Sequence, residues 1–210
     1  MKKNLKILLC LAVIIFNAVI SPVYVYAEQK DITITDNEYV VFTEKNINTQ
    51  DMRKKSGLDK KKLSEYMKKF PNLSGIEETL IEMQDEYNVN ALLILAIVRL
   101  ESGNGKSQIA KSRNNLGGII VSQKSVRVYK SFDTRSDCVI YMAKLLSENY
   151  LTEGGKYFNG YTLNDIAQSY SASPDTWTDL VKELICEIQT GINAIQISSG
   201  ISSISNISSS

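Results

Sequence analysis

Asn90-Ala91-Leu92-Leu93-Ile94-Leu95-Ala96-Ile97-Val98-Arg99-Leu100-Glu101 carries no polar side chain between Asn90 and Arg99. The run reads as a helix with Asn90 at its N-cap, where a side-chain oxygen can accept from the first unpaired backbone N–H groups. From Ala91 to Val98 the helix is apolar on every face, so it belongs in the middle of a domain. It is too short to cross a membrane, which takes about 20 apolar residues. Other helices must therefore surround it.

The flanking sequence supplies them. Ile76, Leu80, Met83 and Tyr87 recur at helical spacing with acids opposite, and Asn88-Val89-Asn90 breaks that helix. Thr49 to Phe70 reads as two short helical pieces parted at Ser56-Gly57, the second stopped by Pro71. After Glu101 come a Ser102-Gly103-Asn104-Gly105 turn, a short helix capped by Ser107, and a loop at Asn114-Asn115-Leu116-Gly117-Gly118. Ile119–Val121 and Val126–Tyr129 are β-rich and predict a small hairpin. Thr134 to Tyr150 is helical with Val139, Met142, Ala143 and Leu146 on one stripe. Thr162-x-x-Asp165 resembles a capping box opening another helix. The last helix, Asp175 to Ile188, carries Trp177, Leu180, Val181, Leu184 and Ile185 on its apolar stripe. The expected fold is mainly α (α+β), one helical domain with a small inserted hairpin.

The two ends differ from this domain. Lys2, Lys3 and Lys6 precede an apolar run, and Val25-Tyr26-Ala27 fits a signal-peptidase site, so residues 1–27 read as a secretory signal peptide that takes Cys10 with it. The rival reading, an uncleaved membrane anchor, meets a run that is short for a span. Residues 28–46 read as an extended lead-in, 47–190 as the folded domain in which any site must lie, and 191–210 as a Ser/Ile-rich low-complexity tail, disordered or loosely attached. The expected location is outside the cell, with no membrane association after cleavage.

Charge and composition narrow the function. Of 24 basic and 23 acidic residues, the leader takes three lysines, leaving a mature net charge of −2. That balance gives no reason to seek nucleic acid. The chain has no histidine, which excludes Ser-His-Asp and Cys-His nucleophiles and argues against catalytic zinc. No metal or cofactor is expected. Cys138 and Cys186 remain, as a disulfide or as two buried thiols.

Carboxylates and tyrosines are left for acid–base work. Glu101 ends the most hydrophobic helix, beside Ile94, Ile97 and Val98, and a Gly-rich turn follows. Apolar surroundings disfavour its charged form, so its pKa should rise. A carboxyl that stays protonated near neutrality can protonate a departing sugar oxygen. The plain alternative is a solvated carboxylate at a helix end.

Leu100-Glu101-Ser102-Gly103-Asn104-Gly105-Lys106-Ser107 followed by Asn114-Asn115-Leu116-Gly117-Gly118-Ile119 resembles the bacterial endo-β-N-acetylglucosaminidases of glycoside hydrolase family 73. Ser56-Gly57-Leu58, Gly75-Ile76, the stretch from Tyr150 to Gly160 and Trp177 with its helix match the family in the same order, over about residues 45–188. The resemblance implies a lysozyme-like fold, with a helical lobe, a small β lobe and a cleft between them. It implies Glu101 as catalytic acid at the cleft floor and Tyr170 as a functional tyrosine; a core tyrosine is the alternative. Asn115 is a substrate-side candidate, though better explained as a turn residue shaping its loop, and Trp177 reads as core. The implied partner is the glycan strand of peptidoglycan, which would place the secreted protein at the cell wall.

Two departures from the family pattern stand out. Gly117 replaces a more usual aromatic, which would open one wall of the sugar site. The hairpin from Asn115 to Tyr129 contains no Asp or Glu, although several relatives place a second carboxylate there. Asp133 is the nearest candidate, or else a cap for the next helix. Without that carboxylate, either the substrate's acetamido group assists hydrolysis or a muramic acid 6-hydroxyl attacks, as in lytic transglycosylases. A wall-binding protein that has lost activity is the reading from another class.

Overall fold

The computed structural model describes residues 38–122 and 127–207. The leader read at residues 1–27 lies outside these residues, as does most of the lead-in. Among the described residues, seven α-helices and one two-stranded antiparallel sheet follow in order: α1 Lys60–Met67, α2 Glu77–Tyr87, α3 Ala91–Ser102, α4 Gln108–Arg113, β1 Ile120–Ser122, β2 Val128–Tyr129, α5 Arg135–Tyr150, α6 Leu163–Tyr170 and α7 Pro174–Ile207. This is the mainly helical, lysozyme-like class that the sequence predicts.

α3 is the axis. Every residue from Ala91 to Val98 is inaccessible to solvent, and α2, α5 and α7 pack around it. Its start is set by Asn90, whose side chain accepts from Leu92 and Leu93 N–H. Asn88, in the left-handed region at φ 50°, ends α2 and turns the chain into α3. Asparagine tolerates that conformation better than other non-glycine residues. Ser107 caps α4, and reciprocal capping boxes at Thr134–Asp137 and Thr162–Asp165 open α5 and α6.

The sequence reading is corrected in three places. Between residues 49 and 59 there is no α-helix; a short 3₁₀ turn at Ile47–Thr49 leads into irregular chain. Asp51 takes both the backbone N–H and the guanidinium of Arg53, while Met52 donates its N–H to Tyr161 and accepts from Asn90. Tertiary bonds have overridden local helical preference. At the other end, α7 continues through Ile207 rather than stopping at Ile188. No proline lies beyond Pro174 to break it, and its buried face extends through Ile188 and Ile192. Gly191 lets that face close on α1, since a Cβ there would stand 2.5 Å from Tyr66 Cε2. Leu180, placed on the apolar stripe, is 42% exposed.

Residues 39–42 dock on the domain rather than trailing from it. Val40 and Phe42 are buried, Val40 N–H bonds Lys55, and the Gln189 amide brackets the Phe42 backbone from α7. Cys138 and Cys186 are free thiols. Among the described residues no helix is long and apolar enough to cross a membrane.

Candidate active site

Glu101 occupies the last turn of α3, where the buried helix reaches the surface. The turn after it is tightly built. Gly103, Asn104 and Gly105 all adopt positive φ, and the Ser102 hydroxyl, itself buried, donates to Val98 C=O and accepts from Gly105 N–H at 2.7 Å. A Cβ on Gly105 would meet Asn72 O at 2.6 Å, so only glycine fits this approach. The backbone beside Glu101 is thus held from both sides.

Arg99 braces the same turn from beneath. Its side chain is 4% exposed, yet it donates to Asn104 Oδ1 at 2.8 Å and Tyr66 Oη at 2.8 Å, and pairs with Glu187 on α7 at 3.2 Å. The guanidinium also lies 4.1 Å over the Phe70 ring. A buried charge needs such pairing, and here it ties α1, α3, α7 and the turn together.

The Glu101 carboxyl is held above the usual carboxylate range, chiefly because neighbouring atoms strip its hydration; the Trp177 indole opposes this in part. By area Glu101 is exposed. The two facts agree where one side of the carboxyl meets packed atoms and the other meets water. No charged group contributes to the shift. The Trp177 N–H is near enough to favour the carboxylate, yet it makes no hydrogen bond of acceptable geometry and is buried without a partner.

Four aromatic rings form a chain beside the carboxyl. Tyr157 packs on Tyr150 at 5.1 Å, Tyr150 on Tyr170 at 5.5 Å, and Tyr170 on Trp177 at 4.8 Å. Burial first, then the nearby Glu101, Tyr150 and Cys138, push the Tyr170 phenol far above its ordinary value. It remains a neutral phenol throughout the working range. The structure therefore brings Glu101 and Tyr170 together, and adds Trp177, which the sequence reading had assigned to the core.

Asn115 and Asp133 are placed differently. Asn115 is buried, and both its amide hydrogens are used, on Ile119 O at 2.9 Å and Lys130 O at 2.8 Å, while its Oδ1 accepts from Ile119 N–H. It stitches the loop to the hairpin, as a turn residue would. Asn115→Ala should cost about 2 kcal/mol, because it strands buried backbone groups; urea unfolding checks this, and an unchanged midpoint would refute it. Asp133 is exposed, and its carbonyl accepts from Asn114 Nδ2. The cap of α5 is Thr134 instead. Gly117 does not open a sugar wall by lacking a side chain, since a Cβ there would point 2.7 Å from Met142 Sδ, in the core.

Among the described residues, four surface cavities of about 280 to 330 Å³ are lined by residues other than Glu101. Among the described residues no cluster of three or more His, Cys, Asp or Glu is placed to hold a metal ion.

Comparison with known proteins adds a family to this geometry. A protein of Streptococcus pneumoniae strain TIGR4 carrying the name endo-β-N-acetylglucosaminidase is 31% identical over 111 residues, 52% of this chain. The match covers only 17% of that relative's length. Staphylococcus aureus autolysin E superposes with a TM-score of 0.51 at 16% identity, over 74% of this chain and 75% of that one. A catalytic mutant of autolysin E in complex with the disaccharide NAG-NAM gives the same TM-score and identity, over 73% and 76% of the two chains. These structures share the fold. A family model described as mannosyl-glycoprotein endo-beta-N-acetylglucosaminidase matches residues 77–190, from α2 into α7, and the chain belongs to this glucosaminidase family.

Proposed function

We propose that this protein cleaves the glycan strand of peptidoglycan at N-acetylglucosaminyl-β-1,4-N-acetylmuramic acid bonds, with Glu101 as general acid. The observation that carries the reading is the Glu101 carboxyl itself: desolvated, raised in pKa, and still open to solvent at the end of a rigid helix. Cleaving a glycosidic bond needs a proton on the leaving oxygen, and a carboxyl that resists ionisation can supply it. Family membership and the NAG-NAM complex of autolysin E support peptidoglycan as the substrate class. Tyr170, a neutral phenol near Glu101, is suited to hydrogen-bond the 2-acetamido group or steady a developing charge.

One observation keeps a second reading open. No charged group perturbs Glu101, and the hairpin sequence contains no acid. A single carboxyl leaves the second step to the substrate. Attack by the acetamido group gives hydrolysis with retention, whereas attack by a muramic acid 6-hydroxyl gives an anhydro sugar. Mass spectrometry of fragments released from purified peptidoglycan separates the two. Reducing-end N-acetylglucosamine is expected, and anhydromuramic acid ends would assign the lytic transglycosylase instead. The reading of residues 1–27 as a signal peptide, made from sequence alone, supports action outside the cell.

A further inference from the structure

Trp177 is 6% exposed in the first turn of α7, and its Nε1–H is buried without a partner. Buried donors are nearly always paired, so an orphan beside a functional carboxyl calls for a reason. The ring plane is set by its stack on Tyr170, at 4.8 Å and 34°. That stack limits how the N–H can turn.

We propose that Trp177 is a positioning residue for Glu101, its indole N–H held in reserve for the carboxylate that Glu101 becomes after giving up its proton. The inference rests on the reading of Glu101 as general acid. In that step the Glu101 proton passes to the bridging oxygen, the C1–O bond breaks, and its electron pair stays on the leaving oxygen. Glu101 is left as an anion in a poorly hydrated place. A neutral acid asks little of a nearby donor, but a carboxylate makes a hydrogen bond about twice as strong as a neutral pair does. The N–H therefore stabilises the late state more than the early one, which is how a fixed donor accelerates a reaction. Attack of water or a hydroxyl on the sugar carbon then returns a proton to Glu101 and frees the N–H again.

The groups around the indole are few. Glu101 faces it from α3, Tyr170 from α6, and Tyr150 and Cys138 lie behind Tyr170 on α5, with Tyr157 packed on Tyr150. Burial pushes Tyr150, Tyr170 and Cys138 upward, so they stay neutral. Asp175 and Asp179 on α7 itself line a separate cavity with Asn48, Asn164 and Gln168.

Trp177 is the sole tryptophan of the chain, so intrinsic indole fluorescence reports this site alone. In the purified protein, fluorescence followed against pH is expected to show a transition that Glu101→Gln abolishes. A transition that persists in Glu101→Gln would overturn the pairing. Trp177→Phe keeps a ring to stack on Tyr170 but removes the donor. Its kcat should fall about tenfold or more with KM little changed. Losing a donor that favours the carboxylate raises the Glu101 pKa, so the alkaline limb of kcat/KM should move up by about one pH unit. An unmoved limb with kcat within about twofold of wild type would leave Trp177 a packing residue. If Trp177→Phe fails to fold, the fluorescence arm still decides. If wild type releases no glycan fragments, the reading of Glu101 as acid fails by itself, and the same titration still tests the contact.

Discussion

Glu101→Gln is expected to lower glycan cleavage about a thousandfold, the scale on which a positioned acid contributes, and to make the protein more stable at neutral pH. Glutamine keeps the shape and loses the transferable proton. The gain in stability follows from the direction of the pKa shift. Burial raises the folded-state pKa of Glu101 above its unfolded value, so its contribution is fully present below the unfolded pKa and is lost as pH rises through the folded one. Glutamine suffers no such loss. The Tm of the variant should therefore exceed that of wild type near neutrality, with the gap closing in acid below about pH 4. Reducing-end release and thermal unfolding at the two pH values check both halves. A variant that clears peptidoglycan as fast as wild type would end the general-acid assignment. Equal gaps at the two pH values would end the account from desolvation.

Arg99→Ala should cost about 3 kcal/mol, the scale of emptying a long buried side chain. It would leave Asn104 Oδ1 and Tyr66 Oη short of a donor and the Phe70 ring uncovered. Glu187→Ala should cost far less, about 1 kcal/mol, because Glu187 is 55% exposed while Arg99 keeps its other partners. Denaturant unfolding of both variants tests the contrast. Equal losses would mean that charge pairing, rather than packing and hydrogen bonding, holds this junction.

Much of the architecture was legible because it rests on local rules. The all-apolar stretch Ala91–Val98 could only be a central helix, and the caps at Asn90, Ser107 and Thr162 fall where side-chain chemistry puts them, while α5 is capped by Thr134 rather than Asp133. Segments shaped by distant partners were not legible. Residues 49–59 give up helix for bonds to Tyr161 and Asn90, and no periodicity encodes that exchange. The long run of α7 was hidden by the compositional bias of its Ser and Ile residues, which resembles a loose tail. At the proposed site, the helix and turn made Glu101 one candidate among carboxylates, and the family resemblance strengthened it and supplied Tyr170. Trp177 was hidden because it is both core and neighbour to Glu101: its ring sits on the apolar stripe while its nitrogen faces the carboxyl. Arg99 looked like a basic residue ending an apolar run, and its burial depends on Tyr66 and Glu187, far away in sequence.

The exposure of Glu101 at the end of α3 bears on how the proposed glycan cleavage could be blocked. A compact drug-like molecule gains affinity by being enclosed on most of its surface, whereas the Glu101 side chain is exposed on one side. A molecule laid over an open acid must instead gather many shallow contacts along its length, as a chain of sugars does. Oligosaccharide mimics of several rings should therefore outcompete single-ring inhibitors, and each added ring should tighten them.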